Sequence, residues 1–197
     1  MKEKKYILFD LDGTLTDPKE GITKAVQYSL AHYGIEETNL DMLCPFIGPP
    51  LRDSYINFYG FSQEKATEAI SVYREYFCRE GWAQNKVYPG IPELLGALKN
   101  AGKKLYVATS KPEPFAVQIL EHFGLAGFFD GIGGADLEET RVRKGDVISY
   151  VRERFGLLRD ETGRGLAPDI VMACKTKPLL GRCLYIYLFL CDLQRIS

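Results

Sequence analysis

The chain has 197 residues, of which 46% are hydrophobic and 26% charged, which excludes a disordered or collagen-like polymer. Its 25 basic and 26 acidic residues leave a net charge of -1, so it carries no electrostatic footprint for nucleic acid. The length suits one ordinary domain, or one domain carrying a smaller insertion. Five cysteines without a Cys-x-x-Cys pair argue against a disulfide framework or a zinc site. The first residues are basic and the apolar run that follows is short, so the expected location is cytoplasmic, with no membrane segment.

Tyr6 to Phe9 is a continuous apolar run ending at Asp10, as in a parallel strand covered on both faces. From Lys19 the pattern becomes helical: Ile22, Ala25, Val26, Leu30 and Tyr33 share a face, and Gly34 stands where the helix should stop. Leu51 to Phe58 and Ser62 to Phe77 read as two more helices, with a loop over Pro45 to Pro50. No strand is expected between Pro18 and Lys86. From Tyr88 onward, helix and strand alternate. Ile91 to Leu98 is a helix closed by Gly102, and Leu105 to Ala108 a buried strand. Ser110 reads as an N-cap with Glu113 completing a capping box. A helix then runs to Gly124, and Phe128 to Ile132 is strand-like. Val147 to Phe155 marks another helix, and Ile170 to Met172 a further strand. Strands separated by helices of this length predict βαβ units and a parallel sheet.

The sharpest motif is Asp10-Leu11-Asp12-Gly13-Thr14-Leu15-Thr16-Asp17, directly after the first strand. Two carboxylates two residues apart can converge on one site if the chain turns at Gly13. Such a pair can hold Mg2+ together with substrate phosphate, or divide nucleophilic and proton-transfer work. The plainer alternative, a hairpin turn at Asp-Gly, requires a second strand at once, and Pro18 and a helix follow instead.

A strand followed by Asp-x-Asp-Gly-Thr, with a helical insertion behind it, resembles the phosphatases of the haloacid dehalogenase superfamily that carry a type 1 cap. The resemblance is strongest to phosphoglycolate phosphatase-like and nucleotidase-like members and covers about residues 5 to 172. It implies an α/β fold, a Rossmann-like parallel sheet with helices on both faces, plus an inserted all-helical cap. The implied domains are a core of residues 1–16 and 88–197, atypical after about 172, and a cap of residues 17–87. It implies that Asp10 is the nucleophile forming an aspartyl-phosphate and Asp12 the acid/base, both beside Mg2+. Gly13 and Thr14 belong to the same substrate-binding motif. Thr109, at the end of the second core strand, would hold the phosphoryl group, its alternative being a helix-capping hydroxyl. Ser110 would bond phosphate or cap. Lys144 matches the family's lysine; a solvated basic residue is the alternative, but a lysine at a helix N-terminus opposes the macrodipole and asks for an anion nearby.

In the insertion, Phe46-Ile47-Gly48-Pro49-Pro50-Leu51-Arg52 resembles the cap loop that faces the active site in relatives. Gly48 and Arg52 are the candidates there, Arg52 pairing with a second anion on the substrate or serving as an ordinary surface arginine. His32 and His122 fall within helical patterns and read as packing or surface residues. The expected ligand is a small phosphorylated metabolite, with monomer and homodimer both open.

The resemblance fails after the strand at Ile170 to Met172. Relatives place a Gly-Asp pair and a further acid there; this chain has Ala173-Cys174-Lys175-Thr176-Lys177-Pro178, and no carboxylate follows until Asp192. Cys183 to Cys191 is nine apolar residues in a row, too short for a membrane helix of about 20. The expectation is a chain that follows the family to about Met172 and then leaves it by frameshift, truncation or divergence. Weak metal affinity follows. Two rival readings are a catalytically impaired protein that binds phosphate or a partner without turnover, and a phosphomutase.

Overall fold

The structure is a computed structural model and describes residues 5–138, 140–157 and 170–173. Four parallel strands form its centre: β1 (Tyr6–Phe9), β4 (Lys104–Pro112), β5 (Gly131–Ala135) and β6 (Ile170–Ala173). Their order is β5-β4-β1-β6, so β1 lies inside the sheet between β4 and β6. Alternation along a strand sends successive side chains to opposite faces. Ile7 and Phe9 pack with Leu105 and Val107 against α4 (Ile91–Asn100) and α5 (Glu113–His122). Leu8, Tyr106 and Ala108 face the other way, onto Val147 and Val151 of α6 (Lys144–Arg154). Both faces are covered, which is why the first strand reads as an unbroken apolar run.

The chain leaves the sheet at β2 (Thr16–Asp17) and returns at β3 (Lys86–Val87), which pair antiparallel. Between them lie α1 (Lys19–His32), a 3-10 turn at Leu40–Phe46, α2 (Leu51–Tyr59) and α3 (Gln63–Tyr76). They enclose a core of their own around Ile22, Val26, Leu30, Phe46, Tyr55 and Ile70. Ser62 caps α3 by accepting from the Lys65 amide at 3.2 Å. The α3 spiral then widens into a π turn over Phe77–Gly81. Gly81 meets Gly21 backbone to backbone: a Cβ on Gly21 would stand 1.9 Å from the Gly81 carbonyl oxygen.

Several sequence-based expectations shift. The 3-10 turn runs through Pro45 and Phe46, so the connecting loop is shorter than expected. The segment expected as a strand over Phe128 to Ile132 begins as a 3-10 turn at Ala126–Phe128, and β5 starts only at Gly131. Ser110 is not an N-cap. The strand β4 continues through it to Pro112, and α5 starts at Glu113 without a side-chain cap. The physical reason is proline: Lys111 precedes Pro112 and is held extended, so a helix cannot begin before it. Glu113 instead accepts from the Gly134 amide at 3.1 Å and from Arg154 at 2.7 Å. His32 packs edge-on to Tyr33, and His122 edge-on to Trp82 and Phe123. Cys44 and Cys78 are free thiols. No helix among the described residues is long and apolar enough to cross a membrane. The apolar run Cys183 to Cys191 lies outside the described residues.

Asp130, just before β5, ties the sheet edge together. Its carboxylate accepts from the Leu105 amide at 2.9 Å and from the ammonium groups of Lys99 and Lys104, each at 3.0 Å. Burial opposes its ionisation, but these donors outweigh it and hold the carboxyl below its usual range. A depressed carboxyl contributes stability above its unfolded pKa and loses it as pH falls through the folded value. Asp130→Asn therefore lowers the thermal midpoint at neutral pH, and the gap to the parent narrows in acid; melting curves across a pH series read both.

Candidate active site

β1 ends at Phe9, and Asp10 follows with its amide donated to the Ala173 carbonyl at 3.0 Å, beside the end of β6. Its carboxylate accepts from the Leu11 amide at 2.9 Å through Oδ1 and from Lys144 at 2.7 Å through Oδ2. The chain then turns. Gly13 takes φ 75°, a left-handed conformation, and donates its amide to the Thr16 carbonyl at 2.7 Å. This turn returns Asp12 to the same edge of the sheet, where Lys111 meets its Oδ2 at 2.9 Å. Asp12 Oδ1 is buried and has no hydrogen-bond partner among the described residues.

Lys144 is the first residue of α6 and reaches back across the sheet end, donating also to the Ala108 carbonyl at 2.9 Å. The anion its position called for is Asp10. Thr109 is 1% exposed, and its hydroxyl oxygen accepts from the Lys111 amide at 3.2 Å. Its hydroxyl hydrogen is thereby left to donate elsewhere.

A cleft opens between this edge and the helical unit. Its walls include Asp12, Ser110 and Lys111 from the sheet side, and Phe46, Gly48, Pro49, Tyr73, Arg74 and Phe77 from the helical side. Asp10, Thr109 and Lys144 are not wall residues; Thr109 directly precedes Ser110, and Asp10 lies two residues before Asp12. Tyr73 is buried, and burial followed by the charge of Asp12 pushes its phenol well above the ordinary value. It stays a neutral donor in the cleft wall.

The structure thus brings Asp10, Asp12, Thr109, Ser110, Lys144 and Gly48 to one region. Gly13 and Thr14 stay in the turn beside Asp12, and Arg52 lies outside the cleft wall. The amides of Gly13 and Thr14 are spent inside the turn, the latter on the Leu11 carbonyl at 3.1 Å, and neither residue lines the cleft. Arg52 is turned within the helical unit, where its guanidinium donates to the Thr67 hydroxyl at 2.6 Å and the Gln63 carbonyl at 3.4 Å. It borders a neighbouring cavity with Arg143 and Asp146 instead. The cleft's basic residues are Arg74 and Lys111, neither of which the sequence reading singled out. Lys111 lies two residues beyond Thr109, in a stretch where the register of β4 against β5 shifts, and its amide donates to the Thr109 hydroxyl.

No cluster of three His, Cys, Asp or Glu able to hold a metal exists among the described residues. The other cleft carboxylate, Asp136, is committed: it accepts from the Thr140 hydroxyl and from the amides of Thr140 at 2.8 Å and Arg141 at 3.1 Å. Burial opposes its ionisation, and these donors overcome that and hold the carboxyl low. The donors that remain are Asp10 and Asp12. Mg2+ is commonly held by one or two carboxylates together with substrate phosphate. Asp10, with Asp12 two residues on at the same edge, supplies oxygen donors of that class. The pair therefore fits Mg2+, in competition with the two lysines already bonded to it.

Residues 7–163 match the model of the haloacid dehalogenase-like hydrolases. The chain belongs to that family, among its phosphatase members. A 5'-nucleotidase from Pseudomonas aeruginosa is 50% identical over 151 residues, which is 77% of this chain and 68% of that protein. The tyrosine-protein kinase PtkA of Mycobacterium tuberculosis is 41% identical over 74% of this chain and 50% of its own length. A predicted phosphatase from Clostridium acetobutylicum superposes with a TM-score of 0.80 at 47% identity, covering 87% of this chain and 76% of that one.

Proposed function

We propose that the protein is a Mg2+-dependent phosphomonoesterase that works through an aspartyl-phosphate on Asp10. The observation that carries this reading is the Asp10–Lys144 pair at 2.7 Å at the end of an interior parallel strand, with Asp12 beside it. Open α/β sheets present their ligand sites at this carboxyl edge. Phosphoryl transfer needs an in-line nucleophile and fixed positive or hydrogen-bonding groups around the equatorial oxygens. Asp10 attacks phosphorus while the bond to the leaving oxygen breaks, and Asp12 gives that oxygen a proton. Asp12 then takes a proton from water, which attacks the aspartyl-phosphate and releases inorganic phosphate. Thr109 donates its free hydroxyl hydrogen to the phosphoryl oxygens. Lys144 uses two N–H groups on Asp10 and Ala108, leaving its third for phosphate. When bound, Mg2+ held by Asp10 and Asp12 would add positive charge at the same oxygens.

The substrate belongs to the small phosphorylated metabolites, recognised through the cleft walls and not through Arg52. The test is phosphate release from a nucleoside monophosphate, a two-carbon acid phosphate and a sugar phosphate across a Mg2+ titration. Turnover that rises through the millimolar range fits two carboxylates shared with lysines; saturation at low micromolar Mg2+ would contradict it. Phosphate retained on the protein, with dependence on a sugar bisphosphate, would mark a phosphomutase instead.

A further inference from the structure

Lys111 is 8% exposed, and the contacts of its ammonium come from both sides of the cleft. One is Asp12 Oδ2 at 2.9 Å; the other is the ring of Phe77, whose centroid lies 4.8 Å away. Burying an ammonium is costly unless it is paired, so these partners define where the side chain can rest. The Asp12 carboxylate is asymmetric as a result. Oδ2 is fixed by Lys111, and Oδ1 is buried without a partner among the described residues. A carboxylate tied by one oxygen is held in a single rotamer, with the other oxygen presented in a set direction.

Phe77 belongs to the helical unit, at the start of the π turn, a feature that recurs at functional positions. It also packs edge-on to Phe115 of α5 at 5.3 Å and stacks on Tyr73 at 5.5 Å. Of these two contacts, the one with Phe115 crosses from the helical unit to the sheet side and is made only when that unit sits over the sheet. A cation over an aromatic face gains more as water is excluded.

We propose that Lys111 is a positioning residue: it aims Asp12 Oδ1 at the leaving-group oxygen, and Phe77 holds Lys111 in place when the cleft is covered. This rests on the reading of Asp12 as the proton donor. The contribution is to proton delivery, so its weight depends on how much the leaving group needs a proton. General acid catalysis supplies about 10²–10⁴-fold where the leaving group requires it.

The experiment compares Lys111→Met, Lys111→Arg and Phe77→Leu with the parent on two esters, p-nitrophenyl phosphate and an alkyl monophosphate. The nitrophenolate departs without a proton, whereas the alkoxide does not. Lys111→Met is expected to lower kcat on the alkyl ester by about a hundredfold, and by only about threefold on the nitrophenyl ester, with KM changing little. Lys111→Arg recovers part of the alkyl-ester loss, and Phe77→Leu shows the same leaving-group pattern more weakly. Equal losses on the two esters would overturn the proposal, because a merely structural role cannot distinguish them. A parent inactive on both esters would overturn the phosphatase reading instead. The pair is then judged by a thermal-unfolding cycle of Lys111→Met, Asp12→Asn and the double variant: non-additive shifts support the orientation of Asp12 by Lys111, and additive shifts overturn it.

Discussion

Asp10→Asn is expected to abolish phosphate release, by at least about a thousandfold, while leaving the protein folded. The amide keeps the shape of the carboxylate, including an oxygen able to accept the Leu11 amide now bonded at 2.9 Å. It has no charge for Lys144 and no nucleophilic oxygen for phosphorus. The substitution separates chemistry from architecture, because the β1–β4 and β1–β6 pairings do not involve the side chain. Steady-state phosphate release gives the first half of the test and a melting curve the second. Residual turnover within tenfold of the parent would remove Asp10 from the nucleophile's role.

Lys144→Ala carries the second largest effect, a loss of about 10²–10³ in kcat/KM. Lys144 sits where it can compensate charge both on Asp10 and on the incoming phosphoryl group. Without it the Asp10 carboxylate keeps only the Leu11 amide among its described partners, and the Ala108 carbonyl loses its ammonium donor. Two anions would then approach each other without the cation between them. Lys144→Arg restores the charge but spreads it over a planar fork that suits the site less well than a point charge, so partial recovery is expected. Turnover assays on the three proteins, at Mg2+ held constant, order them as parent, Lys144→Arg and Lys144→Ala.

The parts of the site that the sequence made legible are those fixed by short-range chain geometry. Asp10 and Asp12 sit on either side of Leu11 at a strand end, and the Gly13 turn that brings them to one edge follows from glycine's access to positive φ. Lys144 was legible mostly through its match to the family's lysine, with the need of a lysine opening a helix for a nearby anion as support. The missed residues depend on packing between units. Arg52 and Arg74 belong to neighbouring helices of one bundle, and periodicity alone cannot tell which arginine faces the bundle's own groove and which faces the sheet. Packing of α2 on α3 gives Arg52 to Thr67 and puts Arg74 in the cleft wall. Lys111 was lost for a different reason. The Ser-Lys-Pro-Glu stretch satisfies the capping-box pattern, so the strand was ended at Ala108. Beyond Ala108 the register of β4 against β5 shifts, and Lys111 is placed by that irregularity, its amide bonded to the Thr109 hydroxyl, which no sequence pattern shows.

The fold expectation rested on firmer ground. Continuous apolar runs at Tyr6 to Phe9 and Leu105 to Ala108 can be stable only between two helical layers, and the structure supplies α4 and α5 on one side and α6 on the other. The neighbouring TM-score of 0.80 agrees with that architecture. The departure from the family pattern after Met172 falls where β6 ends at Ala173, directly beside Asp10. In this sequence Cys174, Lys175, Thr176 and Lys177 follow.

The central claim is covalent transfer to Asp10. The direct measurement is to mix the protein with a labelled phosphomonoester, quench in acid within the first turnover, and map the label by peptide mass spectrometry. The account predicts an acid-stable, alkali- and hydroxylamine-labile phosphate on the peptide containing Asp10, absent from Asp10→Asn. Phosphate release during that turnover with no label on the peptide, or label on another residue, would contradict it.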